Sequence, residues 1–306
     1  MGRAKLRFII SLCSALILSI PVTAQQAASL DSRVSAYAQQ APPSGDKGLS
    51  DILAQMKNGD MHTKIVAFNE LMTRVDSEAG GAKGGMESAG PSDVLSKYFA
   101  RHPDQADPVK LGLIQLLSTE NYYFIESKNP PPDDHAEDDV SEHYAELIDT
   151  VSSLNDDRAI PALAGAITTG GMAQRGLMQY GDKALEPVLK QLRDPDALVR
   201  ASSLGMAVEF LEGHNDAKSH ARARELLQAS LADPGSVVRR KAVWEIDCLV
   251  DRQDFVPILE KIAKTDPQKL PGKADDGGDG DEFYPVRFDA RRALRHIQNN
   301  KPCGSE

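Results

Sequence analysis

Aromatic side chains are scarce in this chain, which has a single tryptophan and only 5% Phe, Trp and Tyr. Sheet-built domains draw on aromatic residues to fill their cores, so a sandwich or barrel is disfavoured and helix packing through Ala and Leu is favoured. Cysteine is also rare, at three residues. Cys13, Cys248 and Cys303 are too widely spaced to form a Cys-based metal or redox motif. Positive charge is in deficit, with 35 Lys and Arg against 45 Asp and Glu, a formal net charge of −10. Such a chain repels phosphate backbones, which disfavours general nucleic-acid binding. Beyond residue 20 there is no long apolar run, so no membrane span is expected after that point.

The first residues have the layout of an export signal. Arg3, Lys5 and Arg7 form a basic start, and residues 8–20 are an apolar stretch too short to cross a bilayer comfortably. Val22-Thr23-Ala24 then offers a cleavage site before Gln25. Leu12 precedes Cys13 where a lipoprotein signal requires a small residue. Residues 1–24 are therefore read as a signal peptide of an exported protein, periplasmic or secreted. Residues 25–48, rich in Gln, Ala and Ser, read as a flexible tether. An exported compartment permits Cys248 to pair with Cys303. The helical pattern around Cys248 instead reads it as a small buried hydrophobe, with Cys303 in a polar tail at 300–306.

Helical periodicity begins at Leu49. Ile52, Leu53 and Met56 share one face, Asn58-Gly59-Asp60 interrupts it, and Ile65, Phe68, Leu71, Met72 and Val75 resume it. Residues 49–127 read as helical hairpins with a Gly-rich loop at 77–91. Three consecutive prolines and a run of acids make 128–139 a solvated insertion. From 140 to 299 helical pattern is nearly continuous. Within it, residues 170–181 form a shortened unit with only Met172, Leu177 and Met178 to bury, and residues 269–281 form a second insertion.

One motif recurs in that region. Asp194, Val199 and Arg200 are repeated as Asp233, Val238 and Arg239, as Asp281, Val286 and Arg287, and loosely as Asp104, Val109 and Lys110. The last three valines are 39 and 48 residues apart. After each of these three, apolar positions fall at steps of four, eight and eleven: Ser203, Ala207 and Phe210; Ala242, Ile246 and Leu249; Ala290, Leu294 and Ile297. A small residue one turn in lets a neighbouring helix approach, and the larger ones below fill the core. Asp-Pro at 194–195 and 233–234 pairs a helix-capping acid with a proline suited to a helix start.

A motif of this period on helical sequence resembles HEAT repeats, specifically the short units also seen in phycobilisome lyases. The resemblance implies an all-α, HEAT-like α-solenoid of antiparallel helix pairs whose second helices line a concave face. It further implies that Asp194, Arg200, Asp233 and Arg239 are structural links between units. Such proteins are most often scaffolds for protein–protein interaction; an enzyme or enzyme accessory of the lyase-like type, using the concave groove, is the alternative. HEAT-like hydroxylases hold di-iron through His-Glu pairs, and no histidine here is followed by glutamate. His135 and His143 flank Asp138 and Asp139 without a helix-fixed ligand spacing. The acidic segment 275–282 has Gly277 at an EF-hand ligand position and Val286 where the bidentate Glu belongs, so it reads as a solvated loop. No catalytic residue, metal or cofactor is assigned.

Positive charge gathers against the overall balance on two helices. Arg240 and Lys241 lie on one, with the lone Trp244; Arg287, Arg291 and Arg295, at steps of four, share a face of the other. These six are the candidate binding residues, and the expected partner is a protein with an anionic surface. Trp244 is placed either as an interface anchor or against the adjacent repeat.

Overall fold

The computed structural model describes residues 48–79, 91–125, 134–169, 171–214, 216–271 and 282–304. The signal peptide, nearly all of the tether, most of the Gly-rich loop, the prolines of the first insertion and the acidic segment at 275–281 lie outside the described residues. The chain is all-α, with a single two-residue strand pairing among the described residues.

The N-terminal unit ends at Leu71. Helix α1 (Leu49–Asn58) buries Ile52 and Met56. Gly59 then closes the turn, where a Cβ would meet the Gln55 carbonyl oxygen at 2.7 Å, and Asp60 accepts the Thr63 N–H at 2.8 Å to start α2 (Met61–Ala79). The second unit runs from Met72 onward. It holds α3 (Pro91–Arg101), α4 (Pro103–Ile125), α5 (Asp134–Ser152), α6 (Ile160–Gly165), α7 (Met172–Gln179), α8 (Asp182–Gln191), α9 (Ala197–Gly213), α10 (Ala217–Ser230), α11 (Ser236–Cys248), α12 (Val256–Thr265) and α13 (Pro285–Gln298). Short 3-10 turns at Asp157–Ala159 and Arg252–Phe255 lead into α6 and α12.

Within this unit each helix packs mainly on its sequence neighbour and the next but one. The pairs α4–α5, α4–α6, α5–α7, α6–α8, α8–α9, α9–α10, α9–α11, α10–α11, α11–α13 and α12–α13 all touch. The motif helices α9, α11 and α13 therefore follow one another side by side. Ser203, Ala242 and Ala290, the small residues one turn in, are wholly buried. Ala207, Ile246, Phe210, Leu249 and Ile297 are buried too, and Leu294 is partly so.

Four expectations need correction. The first insertion is not irregular to residue 139: α5 already starts at Asp134. The shortened unit buries Ala173, Gly176 and Leu177 rather than Met178, which is 42% exposed. A Cβ on Gly176 would lie 2.2 Å from the Ser152 hydroxyl, so close approach of α7 to α5 replaces side-chain bulk. The second insertion is tied at its base: β1 (Leu270–Pro271) pairs antiparallel with β2 (Glu282–Phe283), in the register Leu270 to Phe283. Cys248, at the end of α11, is exposed rather than buried and forms a disulfide with Cys303, Cα–Cα 4.9 Å. The tail is thus fastened, and the Lys301 N–H donates to the His296 carbonyl at 2.8 Å.

Candidate binding face

The repeated arginine does the same work twice. Arg200 donates through Nη1 to the carbonyls of Asp194 and Pro195, at 2.8 and 2.9 Å, in its own unit. Its Nε and Nη2 grip the carboxylate of Asp233, in the next unit, at 3.0 and 2.7 Å. Arg239 repeats the pattern, with Nη1 on the carbonyls of Asp233 and Pro234 and a two-point grip on Asp266 at 2.7 and 2.9 Å. Each aspartate also accepts a backbone N–H two residues on, which shapes its turn: Asp196 for Asp194, Gly235 for Asp233 and Gln268 for Asp266. One guanidinium thereby joins two consecutive Asp-Pro turns.

The electrostatics follow from this geometry. The Arg200 guanidinium, helped by the Gly235 N–H, holds the Asp233 carboxyl below its usual range despite partial burial. Burial pushes Asp266 up, but Arg239 and the Gln268 N–H outweigh it and leave that carboxyl lowered too. Both arginines are raised in turn by their carboxylates.

The third acid of the series is therefore Asp266, followed by Pro267, and not Asp281. The insertion moves the turn from five residues before the valine to twenty before it. An aspartate inside the insertion happens to restore the five-residue offset. The repeated Asp-Pro dipeptide was the signal that identifies the right one.

Most of the candidate cations are engaged. Arg240 reaches from α11 to Asp289 on α13, Nε to Oδ2 2.7 Å, and that carboxylate is buried. Lys241 pairs with Glu245 at 2.7 Å. Its stem runs over Gly205 of α9, where a Cβ would meet the Lys241 Cε at 2.4 Å. Burial, then Glu245, raises the Glu209 carboxyl, and Lys241 opposes the rise. Trp244 is half-buried and carries the Arg292 guanidinium over its ring at 4.9 Å, so it packs toward the adjacent motif helix. Arg287 donates Nε to the Asp266 carbonyl at 2.7 Å and lies on the Tyr284 ring at 3.9 Å. Arg291 and Arg295 are exposed on α13 and have no side-chain partner among the described residues.

Two buried carboxylate–imidazole pairs were not anticipated. Glu120 and His143 meet at 3.0 Å between α4 and α5. Asp247 and His296 meet at 2.6 Å between α11 and α13, where Arg252 also reaches Asp247 at 3.0 Å. Residues remote in sequence make both pairs, so no local spacing reveals them. Among the described residues no group of three His, Cys, Asp or Glu is placed to hold a metal ion, and no helix is long and apolar enough to cross a membrane.

These features define an all-helical protein with a clamped series of motif helices ending in a basic one. No known family pattern matches the chain, and no curated protein does. A solved structure, the crystal structure of an engineered protein from the Northeast Structural Genomics Consortium, is similar at 18% identity over 84% of this chain and 99% of that one, with a TM-score of 0.33.

Proposed function

We propose that this chain is an exported HEAT-like solenoid of antiparallel helix pairs that serves as a protein-binding scaffold, with α13 as its contact helix. The observation that carries this reading is the pair of identical arginine clamps setting α9, α11 and α13 in series. A series built by one repeated link grows by adding units and presents a continuous flank, which is the usual basis for binding extended partners. The exposed row of Arg291 and Arg295 on the last helix, in a chain of net charge −10, supports an anionic partner surface. The exposed Cys248–Cys303 bond supports an oxidising compartment, in agreement with the signal-like first 24 residues.

The test is affinity capture of the mature chain from its own envelope fraction, comparing wild type with Arg291→Glu/Arg295→Glu. Partners recovered with wild type are expected to be lost on charge reversal. An unchanged set of captured proteins removes the basic face from the function. N-terminal sequencing of the exported chain is expected to begin at Gln25.

A further inference from the structure

The third arginine of the clamp series has an open edge among the described residues. In both complete links the arginine directly after the motif valine holds its own unit's turn and offers two nitrogens to an aspartate of the next unit. Arg287 follows Val286 and so occupies the third such position, and after α13 the described chain turns back to the disulfide at Cys248. Its Nε goes to the Asp266 carbonyl, and its Nη1 and Nη2 have no acceptor among the described residues. The guanidinium carbon sits over the Tyr284 ring, 3.9 Å from its centroid. A planar fork packed over an aromatic ring loses less freedom when it takes a carboxylate than one free in solvent.

Resting on the scaffold reading above, the geometry points to Arg287, through its open Nη1–Nη2 edge, as the docking point for an aspartate side chain of an acidic protein segment. Arg291 and Arg295 continue the row at one-turn intervals, a rise of about 6 Å per step. The segment that fits therefore carries carboxylates about 6 Å apart, as alternate residues of an extended strand or successive turns of a helix do. Carboxylate is favoured over phosphate because the two finished links on this chain both take an aspartate. The nearby acid Asp289 is already engaged by Arg240 and Arg292, so it does not compete for the row.

The experiment uses the full mature chain and a fluorescent peptide with aspartate at alternate positions, read by anisotropy at low and physiological salt. The peptide is expected to bind, its asparagine counterpart to bind at least about tenfold more weakly, and Arg287→Gln to lose a similar factor. Arg287→Lys keeps the charge without the fork and should fall between. Arg291→Glu/Arg295→Glu changes only exposed side chains and guards against misfolding, which the unfolding midpoint reports. Equal binding of the two peptides, or unchanged binding by the charge-reversed chain, overturns the proposal. So does a tenfold gain when Asp275, Asp276, Asp279 and Asp281 are changed to asparagine, since the row is then occupied by the chain itself. Envelope capture that survives Arg287→Gln while peptide binding fails leaves the scaffold standing without this site; loss of capture on charge reversal with no peptide binding sinks the site alone.

Discussion

Residues 91–191 and 194–304 are both layered helices, but different chemistry joins their layers. In the later region one device recurs: an arginine spanning two Asp-Pro turns, used at Arg200 and again at Arg239. In the earlier region each joint is unique. Glu120 meets His143, the Asn121 side-chain amide donates to the Ala162 carbonyl at 2.7 Å and accepts from the Tyr144 hydroxyl, and Gly176 rides on Ser152. Burial there pushes the Tyr144 phenol well above its usual range. Exposed pairs such as Lys183–Asp157 add little to either region, because solvent screens them and ordering the side chains costs entropy. A repeated link shows in the sequence as a repeated motif, whereas one-off links leave no such trace.

The largest expected effect comes from breaking the deepest clamp. Asp266→Ala strands Arg239, whose side chain is 9% exposed, and should cost about 3–5 kcal/mol in urea unfolding. A loss below 1 kcal/mol would mean that the clamps are ornamental and that apolar packing alone distinguishes the later region. Next is the fastening of the tail. Cys303→Ser opens a link spanning 55 residues and should cost about 3–4 kcal/mol in the oxidised protein, with no further loss on adding reductant.

Acid should act on the clamped region in a defined direction. The folded carboxyls of Asp233 and Asp266 lie below the reference 3.8, so the folded state binds fewer protons than the unfolded one as pH falls toward that value. Their stabilisation is complete above about pH 4 and is lost as pH drops through the lowered folded values. Asp156, held at about 2 chiefly by Arg158, follows the same sign outside the clamped series. Unfolding midpoints between pH 5 and 2 should decline less steeply in Asp233→Asn/Asp266→Asn than in wild type. The smallest effect is a gain. Ser203 buries a hydroxyl without a hydrogen-bond partner among the described residues, where the other two motif helices carry Ala242 and Ala290. Ser203→Ala should stabilise by about 1 kcal/mol.

The sequence disclosed the helical class and the core register after each motif valine, because these depend on spacing within a few turns; the linking role of Arg200 and Arg239 was implied only by the resemblance to a repeat family, since their partners lie 33 and 27 residues away. It misled wherever a partner lies far along the chain. Asp281 matched the motif by offset, but the link runs to Asp266 across an insertion. Arg240 looked like a free surface cation until Asp289, 49 residues away, came to lie beside it. Cys248 sits in a helical pattern that says nothing of a tail returning from 55 residues on. Of the six candidate binding residues, Arg291 and Arg295 are exposed and unengaged among the described residues, Arg287 keeps one edge of its guanidinium open among them, and the other three are held in place by neighbours within the protein.

The paired strands at Leu270–Pro271 and Glu282–Phe283 have a practical corollary. They hold the two ends of the intervening segment together, while Arg239 and Arg287 fix Asp266 on the near side of it. Alignment of the helices is thus set by contacts that bridge the two sides of the segment and not by its length. Doubling such a connection adds only about 0.6 kcal/mol of closure entropy. This is the place on the chain where a foreign peptide, a reporter or a whole small domain can be grafted with the stack left undisturbed.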